Sequence, residues 1–191
     1  ELYLQNLDDV SNRADVIDRI CRTPLMYAPH TRRAYSDVDY MILGLIVEQI
    51  VGKRLDEYLQ GGVYRRLGLK RTGFRPLDVK VSAELIAATE LNGNTRDGTV
   101  DFGTRPDGSP VFIRTQTIRG QVQDEKAFYT MSGVSGHAGL FSTADDLGVL
   151  LQLMSNEGIY QGQEYFPADV QRRFLTPDGG EATYGLGWRT N

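Results

Sequence analysis

Apolar residues recur along this chain mostly at helical spacing, in blocks parted by Gly, Pro and short polar stretches. Val16, Ile17 and Ile20 fall on one face of a helix that Asn12 can cap and Pro24 must end, since proline has no amide proton to donate. Tyr27 to Thr31 reads as a loop. From Tyr40 to Val51 the chain is apolar nearly all round, which predicts a helix buried in the centre of its domain and stopped by Gly52. Leu55, Tyr58 and Leu59 resume helical spacing, and Gly61-Gly62 is expected to break it. Ser142 and Asp145 form a capping box ahead of Leu147, Leu150, Leu151 and Met154, a helix that Gly158 ends. Pro167 suits the first position of a further helix, with Val170 and Phe174 turned inward. Tyr184, Leu186 and Trp188 alternate with glycines, the period of a strand.

Between Asn92 and Pro110 the composition changes to Gly, Asp, Thr, Arg and Pro, with turn signals at Asp97-Gly98 and Asp107-Gly108. Val111 to Val122 is rich in Thr, Ile and Val and reads as extended. The expected organisation over 1–191 is therefore a helical part at 1–91, a loop and hairpin insertion at 92–122, a second helical part at 123–180 and the start of a sheet strand at 184–191. That is an α+β chain, mostly helical.

Composition narrows the classes. The 191 residues are 40% hydrophobic and 24% charged, which suits a globular domain. The formal charge is −4 and the arginine pairs at 32–33, 65–66 and 172–173 are scattered, so nucleic acid is not an expected partner. Cys21 has no second cysteine to pair with and reads as a small buried hydrophobe. The apolar run Tyr40 to Val47 is far short of the ~20 residues of a membrane span. The chain opens on Glu1 and closes just after a strand pattern, so it is expected to be an internal piece of a longer protein.

No metal or cofactor site is expected: His30 and His137 lie far apart, and there is no His-Glu-x-x-His or Walker loop. Gly133-Val134-Ser135-Gly136-His137 fails the nucleophile-elbow pattern at its fifth position, and no strand leads into it. Four blocks say more. Pro29-His30-Thr31-Arg32-Arg33-Ala34-Tyr35-Ser36-Asp37, followed by the apolar segment, resembles the Pro-Gly-x-x-x-x-Tyr-Ser-Asn region of class C β-lactamase-like proteins, with His30 where Gly is usual. Leu67-Gly68-Leu69-Lys70-Arg71-Thr72-Gly73-Phe74, Gly136-His137-Ala138-Gly139-Leu140-Phe141-Ser142-Thr143-Ala144-Asp145-Asp146-Leu147 and Tyr184-Gly185-Leu186-Gly187-Trp188 follow in that family's order. With Asp124-Glu125-Lys126-Ala127-Phe128, the chain looks most similar to the branch of D-alanyl-D-alanine carboxypeptidase-like penicillin-binding proteins and related esterases.

The resemblance implies the helical subdomain of a β-lactamase/transpeptidase-like fold, with a small β insertion and one terminal strand of its antiparallel sheet. It implies a serine acyl hydrolase acting on D-alanyl peptides, β-lactams or esters, working through an acyl-enzyme in the cell envelope or periplasm, with Tyr35 as base. Asp37 and His137 are candidate substrate-binding residues. Asp37 stands where Asn is usual, and an ionised Asp accepts hydrogen bonds but cannot donate them. No Ser stands three residues before Lys53, Lys70, Lys80 or Lys126, so a Ser-x-x-Lys motif is absent, as is a late Lys- or His-x-Gly strand, and this chain alone is expected to be inactive. The competing readings are a non-catalytic helical module binding cell-wall peptide or a protein partner, an ordinary half-buried Tyr35, a loop His137 satisfied by backbone, and loop-tying or solvated charges at Arg96, Asp124 and Glu125. Exposed helix faces left by a missing sheet would favour self-association.

Overall fold

The structure is a computed structural model, and it describes residues 13–32, 34–95, 108, 113–177 and 183–189. The expected cap Asn12, Arg96 and the Asp97-Gly98 turn lie outside the described residues. The helices are α1 (Arg13–Arg22), α2 (Asp37–Val51), α3 (Leu55–Tyr58), α4 (Arg65–Leu67), α5 (Glu125–Met131), α6 (Ala144–Ser155) and α7 (Ala168–Leu175). Short strands β1 (Gly73–Phe74) and β4 (Leu140–Phe141), β2 (Ala88–Glu90) and β3 (Ile118–Arg119), and β5 (Ile159–Tyr160) and β6 (Gln163–Glu164) pair antiparallel in three two-stranded ribbons. The class is α+β, as expected. None of the described helices is long and apolar enough to cross a membrane.

The chain forms two compact units, Glu1–Val63 with Gly73–Phe141 and Tyr64–Thr72 with Ser142–Asn191. The described residues of segment 92–122 fall in the first unit. The core of the first unit joins Val16, Met41 and Met131, with Ile20, Val38 and Leu45 packed against it. Arg13 ties the same three helices by polar means. Its guanidinium donates to Glu48 Oε2 at 2.6 Å and to the carbonyls of Met131 and Val134, each at 3.0 Å. Helix α2 begins where Ser36 Oγ accepts from Asp39 N and ends at Gly52, whose left-handed φ of 65° closes the last turn.

Three expectations need correction in this unit. Helix α2 is not enclosed: Met41 and Gly44 are buried, while Tyr40, Leu43, Ile46 and Ile50 form an exposed apolar stripe. The core touches only one side of it. Gly61-Gly62 does not break the helical run, because the backbone widens into π turns over Leu59–Tyr64 that absorb both glycines. Cys21 is exposed, since the buried face of α1 is that of Val16. His30 is left-handed at φ 65°, which explains why Gly suits its position in the resembling motif.

A buried arginine organises the segment that precedes α5. Arg114 is 1% exposed. Its Nε donates to Asn94 Oδ1 at 2.8 Å, Nη1 to Val122 O at 2.8 Å and Nη2 to Gln123 O at 3.0 Å. The guanidinium carbon lies 3.6 Å from the Phe128 ring centroid, and Tyr129 Oη accepts from Arg114 N. One side chain thus holds the loop at 94, the strand exit at 122–123 and the aromatic face of α5.

In the second unit Asp146 plays the matching part. Its carboxylate accepts from Arg71 N at 2.7 Å, Thr72 Oγ1 at 2.9 Å and Lys70 N at 3.4 Å. The α6 cap is Thr143, accepting from Asp146 N, and not Ser142, whose hydroxyl is 2.8 Å from Thr72 Oγ1. Pro167 precedes α7 as its cap position. Val170 and Phe174 are exposed, and the inward residue is Gln171, which donates to Met154 O. Residues 184–189 double back, with Tyr184 bridging Arg189 and Gly185 N bonded to Trp188 O, in place of a single extended strand. The left-handed Gly187, at φ 81°, makes that turn possible.

Replacing Arg114 by Met would leave Asn94 Oδ1 and Val122 O without the donor they have here, while Gln123 O keeps its bond from Asn94 Nδ2. The expected cost is about 3 kcal/mol of unfolding free energy, with Arg114→Lys recovering only part because an ammonium cannot fork. Urea unfolding of the chain measures this, and a loss below about 0.5 kcal/mol would show that the carbonyls find other donors.

Candidate functional site

The site is built at the N-termini of two helices. Tyr35 lies in the extended lead-in to α2 and is 94% exposed. Ser36 is committed as the α2 cap, and Asp37 opens the first turn. At α5 the cap is Asp124, whose Oδ1 accepts from Ala127 N at 2.8 Å and lies 2.9 Å from His137 Nε2. Lys126, in the first turn of α5, donates from Nζ to Asp37 Oδ2 at 2.9 Å and so joins the two helix starts across 89 positions of sequence. His137 Nδ1 lies 2.7 Å from Ser135 Oγ. With Nε2 protonated, the ring donates to Asp124 and accepts from Ser135.

Close backbone approach sets His137 beside α2. A Cβ on Gly136 would fall 2.1 Å from Tyr40 O, and one on Gly44 would fall 2.9 Å from Gly136 N. Only glycines allow the 135–139 loop to lie against the helix. Both ring nitrogens of His137 are engaged and its side chain is 5% exposed.

The charges are arranged as an ionised chain. The bond from Lys126 is the main cause holding the Asp37 carboxyl below the usual carboxylate range, against some burial. Burial works against the Lys126 ammonium, but Asp37, Asp124 and Glu125 outweigh it and raise its pKa. Burial also pushes the Asp124 carboxyl up, and the bonds from His137 and Ala127 N outweigh that and leave it low. Tyr35 moves the other way. The neighbouring Asp37 carboxylate, as a hydrogen-bond acceptor for the phenol and through its charge, raises the Tyr35 pKa more than Lys126 lowers it. With these neighbours alone Tyr35 is a protonated phenol at neutral pH.

Asp37 and His137, both expected as site residues, are brought into one cluster with Tyr35 at its edge. Asp124, Lys126 and Ser135 are additional members. Asp124 read as a loop-tying or solvated charge, although Asp is a favoured helix cap and that was the signal available, whereas the pairing of Lys126 with Asp37 leaves no local signal. Asp37, Asp124 and His137 each present one ligand atom, all within 4.8 Å of one another. A divalent ion there would face the Lys126 ammonium already bonded to Asp37. Ser135, His137 and Asp124 share the residue types of a nucleophilic triad. However, Ser135 is 4% exposed, so its hydroxyl braces the loop and is not presented to an acyl substrate.

Comparison with known proteins accords with these blocks. The family model described as Beta-lactamase matches residues 2–191. A curated relative from Escherichia coli (strain K12), named "Putative D-alanyl-D-alanine carboxypeptidase", is 50% identical over 180 residues, covering 94% of this chain and 40% of that protein. The chain thus spans well under half the length of that relative. Two solved structures share the fold at 19% identity. They are a penicillin-binding protein from Bacillus halodurans (TM-score 0.59, covering 96% of this chain and 46% of that one) and an octameric penicillin-binding protein homologue from Pyrococcus abyssi (TM-score 0.60, covering 94% and 35%).

The low pKa values of Asp37, Asp124 and Asp146 make the fold sensitive to acid. For Asp146, burial opposes the shift and the bonds from Arg71 N, Thr72 Oγ1 and Lys70 N win. A depressed folded pKa contributes stability that is complete above the unfolded value, about 4, and is lost as pH falls through the folded value. Thermal melts below about pH 4 should therefore fall steeply, and Asp124→Asn and Asp146→Asn should each flatten that limb. Unchanged slopes in both variants would remove these carboxylates from the acid response.

Proposed function

This chain belongs to the beta-lactamase family, and from that premise we propose that it is the tyrosine-bearing segment of a serine acyl hydrolase of the penicillin-binding-protein type. In this reading a serine outside these residues attacks an acyl carbon, Tyr35 takes its proton, and water later releases the acyl group. D-alanyl peptides are the first substrates to test, followed by β-lactams and esters, in the cell envelope or periplasm. The carrying observation is Tyr35 itself, exposed at the lead-in to a capped helix, with the Asp37–Lys126 ion pair at its side.

The raised pKa of Tyr35 fits an incomplete site. The phenolate needs cations close to it, and in this reading they come from the Ser-x-x-Lys lysine and a late Lys- or His-x-Gly strand. The competing reading, a non-catalytic module that binds cell-wall peptide or a protein, is separated by the full-length gene: it requires that both motifs be missing there.

In the full-length protein, Tyr35→Phe should keep the fold and slow acylation by at least ~10²-fold, the scale of positioned proton transfer. Stopped-flow acylation measures it, and a rate within a few-fold of the unsubstituted protein removes Tyr35 from the mechanism.

The isolated chain, by contrast, should form no covalent adduct with a fluorescent penicillin or a p-nitrophenyl ester. A tyrosine near its ordinary pKa is only about one part in a thousand phenolate at neutral pH. Intact-mass spectrometry showing a stoichiometric adduct would contradict this. Light scattering on the same sample should show association through the exposed α2 stripe of Tyr40, Leu43, Ile46 and Ile50, and a compact monomer at high concentration would count against it.

A further inference from the structure

An acyl site beside Tyr35 needs a hydrogen-bond donor to hold the substrate, and the local groups can be taken one by one. Asp37 and Asp124 are ionised acceptors. The Ser36 oxygen accepts from Asp39 N as the α2 cap, which leaves a neutral hydroxyl proton, and the Tyr35 phenol is under the influence of the Asp37 carboxylate. Both nitrogens of His137 are engaged, and Ser135 is buried. Lys126 brings a cation, a stronger donor to a carbonyl than a neutral hydroxyl. Its side chain is 30% exposed, its ammonium bears three N–H donors, and it is fixed 2.9 Å from Asp37 at the first turn of α5.

We propose that Lys126, braced by Asp37, is a substrate-binding residue of this site, whose ammonium donates to an amide carbonyl oxygen on the acyl side of the substrate. The inference rests on the reading of Tyr35 given above. Asp37 cannot itself donate to a carbonyl, but it anchors a group that can. The pair therefore turns an acceptor-only position into a donor. Asp124 and Glu125 keep the ammonium charged, and the α5 cap holds the turn that carries it. An acyl compound with an amide next to its reacting carbon, such as an N-acylated D-alanyl peptide, meets both requirements. A minimal ester lacks the amide and so gains no such contact from Lys126.

The test uses the full-length protein and two substrates: an N-acylated D-alanyl-D-alanine peptide, and p-nitrophenyl acetate, which has no such amide. Because Lys126 also acts on Tyr35, Lys126→Met is expected to slow both substrates, but to lower kcat/KM for the peptide at least ~10-fold more than for p-nitrophenyl acetate, the pattern of one lost charged hydrogen bond to substrate. In the Lys126→Met background, Asp37→Asn should restore most of the peptide rate, because an amide both donates and removes the orphaned charge. Asp37→Ala removes the charge without a donor and should restore none. These double variants also answer the case in which Lys126→Met fails to fold around a bare carboxylate. Equal recovery with Asn and Ala would reassign the pair to charge balance and overturn the inference. Equal losses on both substrates in a folded variant would overturn it too. The underlying reading fails separately, when Tyr35→Phe leaves both substrates unaffected. If Tyr35→Phe abolishes turnover and Lys126→Met spares the peptide, only the Lys126 inference falls.

Discussion

The guanidinium of Arg114 is enclosed with its N–H groups shared among Asn94 Oδ1 and the carbonyls of Val122 and Gln123, and its plane lies over Phe128. Those carbonyls come directly before Asp124. A fork of fixed shape therefore sets where the chain turns into α5, and Asp124 and Lys126 are positioned from that turn. Asp124 caps the helix and orients His137, and two residues later Lys126 reaches Asp37 at the start of α2. Arg13 closes the frame by bonding Glu48 of α2 and the carbonyl ends of the segment after α5.

Much of this was legible along the chain where neighbours in sequence decide the structure. The Tyr35-Ser36-Asp37 lead-in, the apolar segment behind it and the Gly52 stop are local signals, and α2 lies where they point. Residues whose partners are distant were not legible. Lys126 was one member of the Asp124–Phe128 block with no serine three residues before it, and only the packing of α1, α2 and α5 brings it to Asp37. Apolar periodicity also cannot say how many neighbours a helix has. Tyr40 to Val51 predicts enclosure, yet the described core covers one face. In α7 the spacing of Val170 and Phe174 pointed to the wrong face, because a hydrogen bond from Gln171 to Met154 O decides which side turns inward.

The four motif blocks do different physical work. Leu67 to Phe74 and Gly136 to Leu147 overlap at a lock in which Asp146 binds the 70–72 backbone, with Thr72 and Ser142 in contact beside it. That lock explains why Thr72, Ser142, Thr143 and Asp146 occur together without assigning any of them a chemical role. Within the first unit, the first block and the His137 end of the third come together through Asp37.

The remaining question is why an acidic residue is tolerated at position 37. A carboxylate that accepts from a phenol and stands near Asp124 would alone be costly, since two negative charges share a partly buried corner. The Lys126 ammonium relieves both at once, as the lowered pKa values of the two carboxyls and the raised pKa of the lysine record from either side. Asp37 and Lys126 therefore form one functional unit, and a change at either position alters the charge that Tyr35 faces. In that respect the acid at 37 belongs with the lysine at 126: each makes the other's charge acceptable, and the exposed phenol faces the pair with the carboxylate the stronger influence.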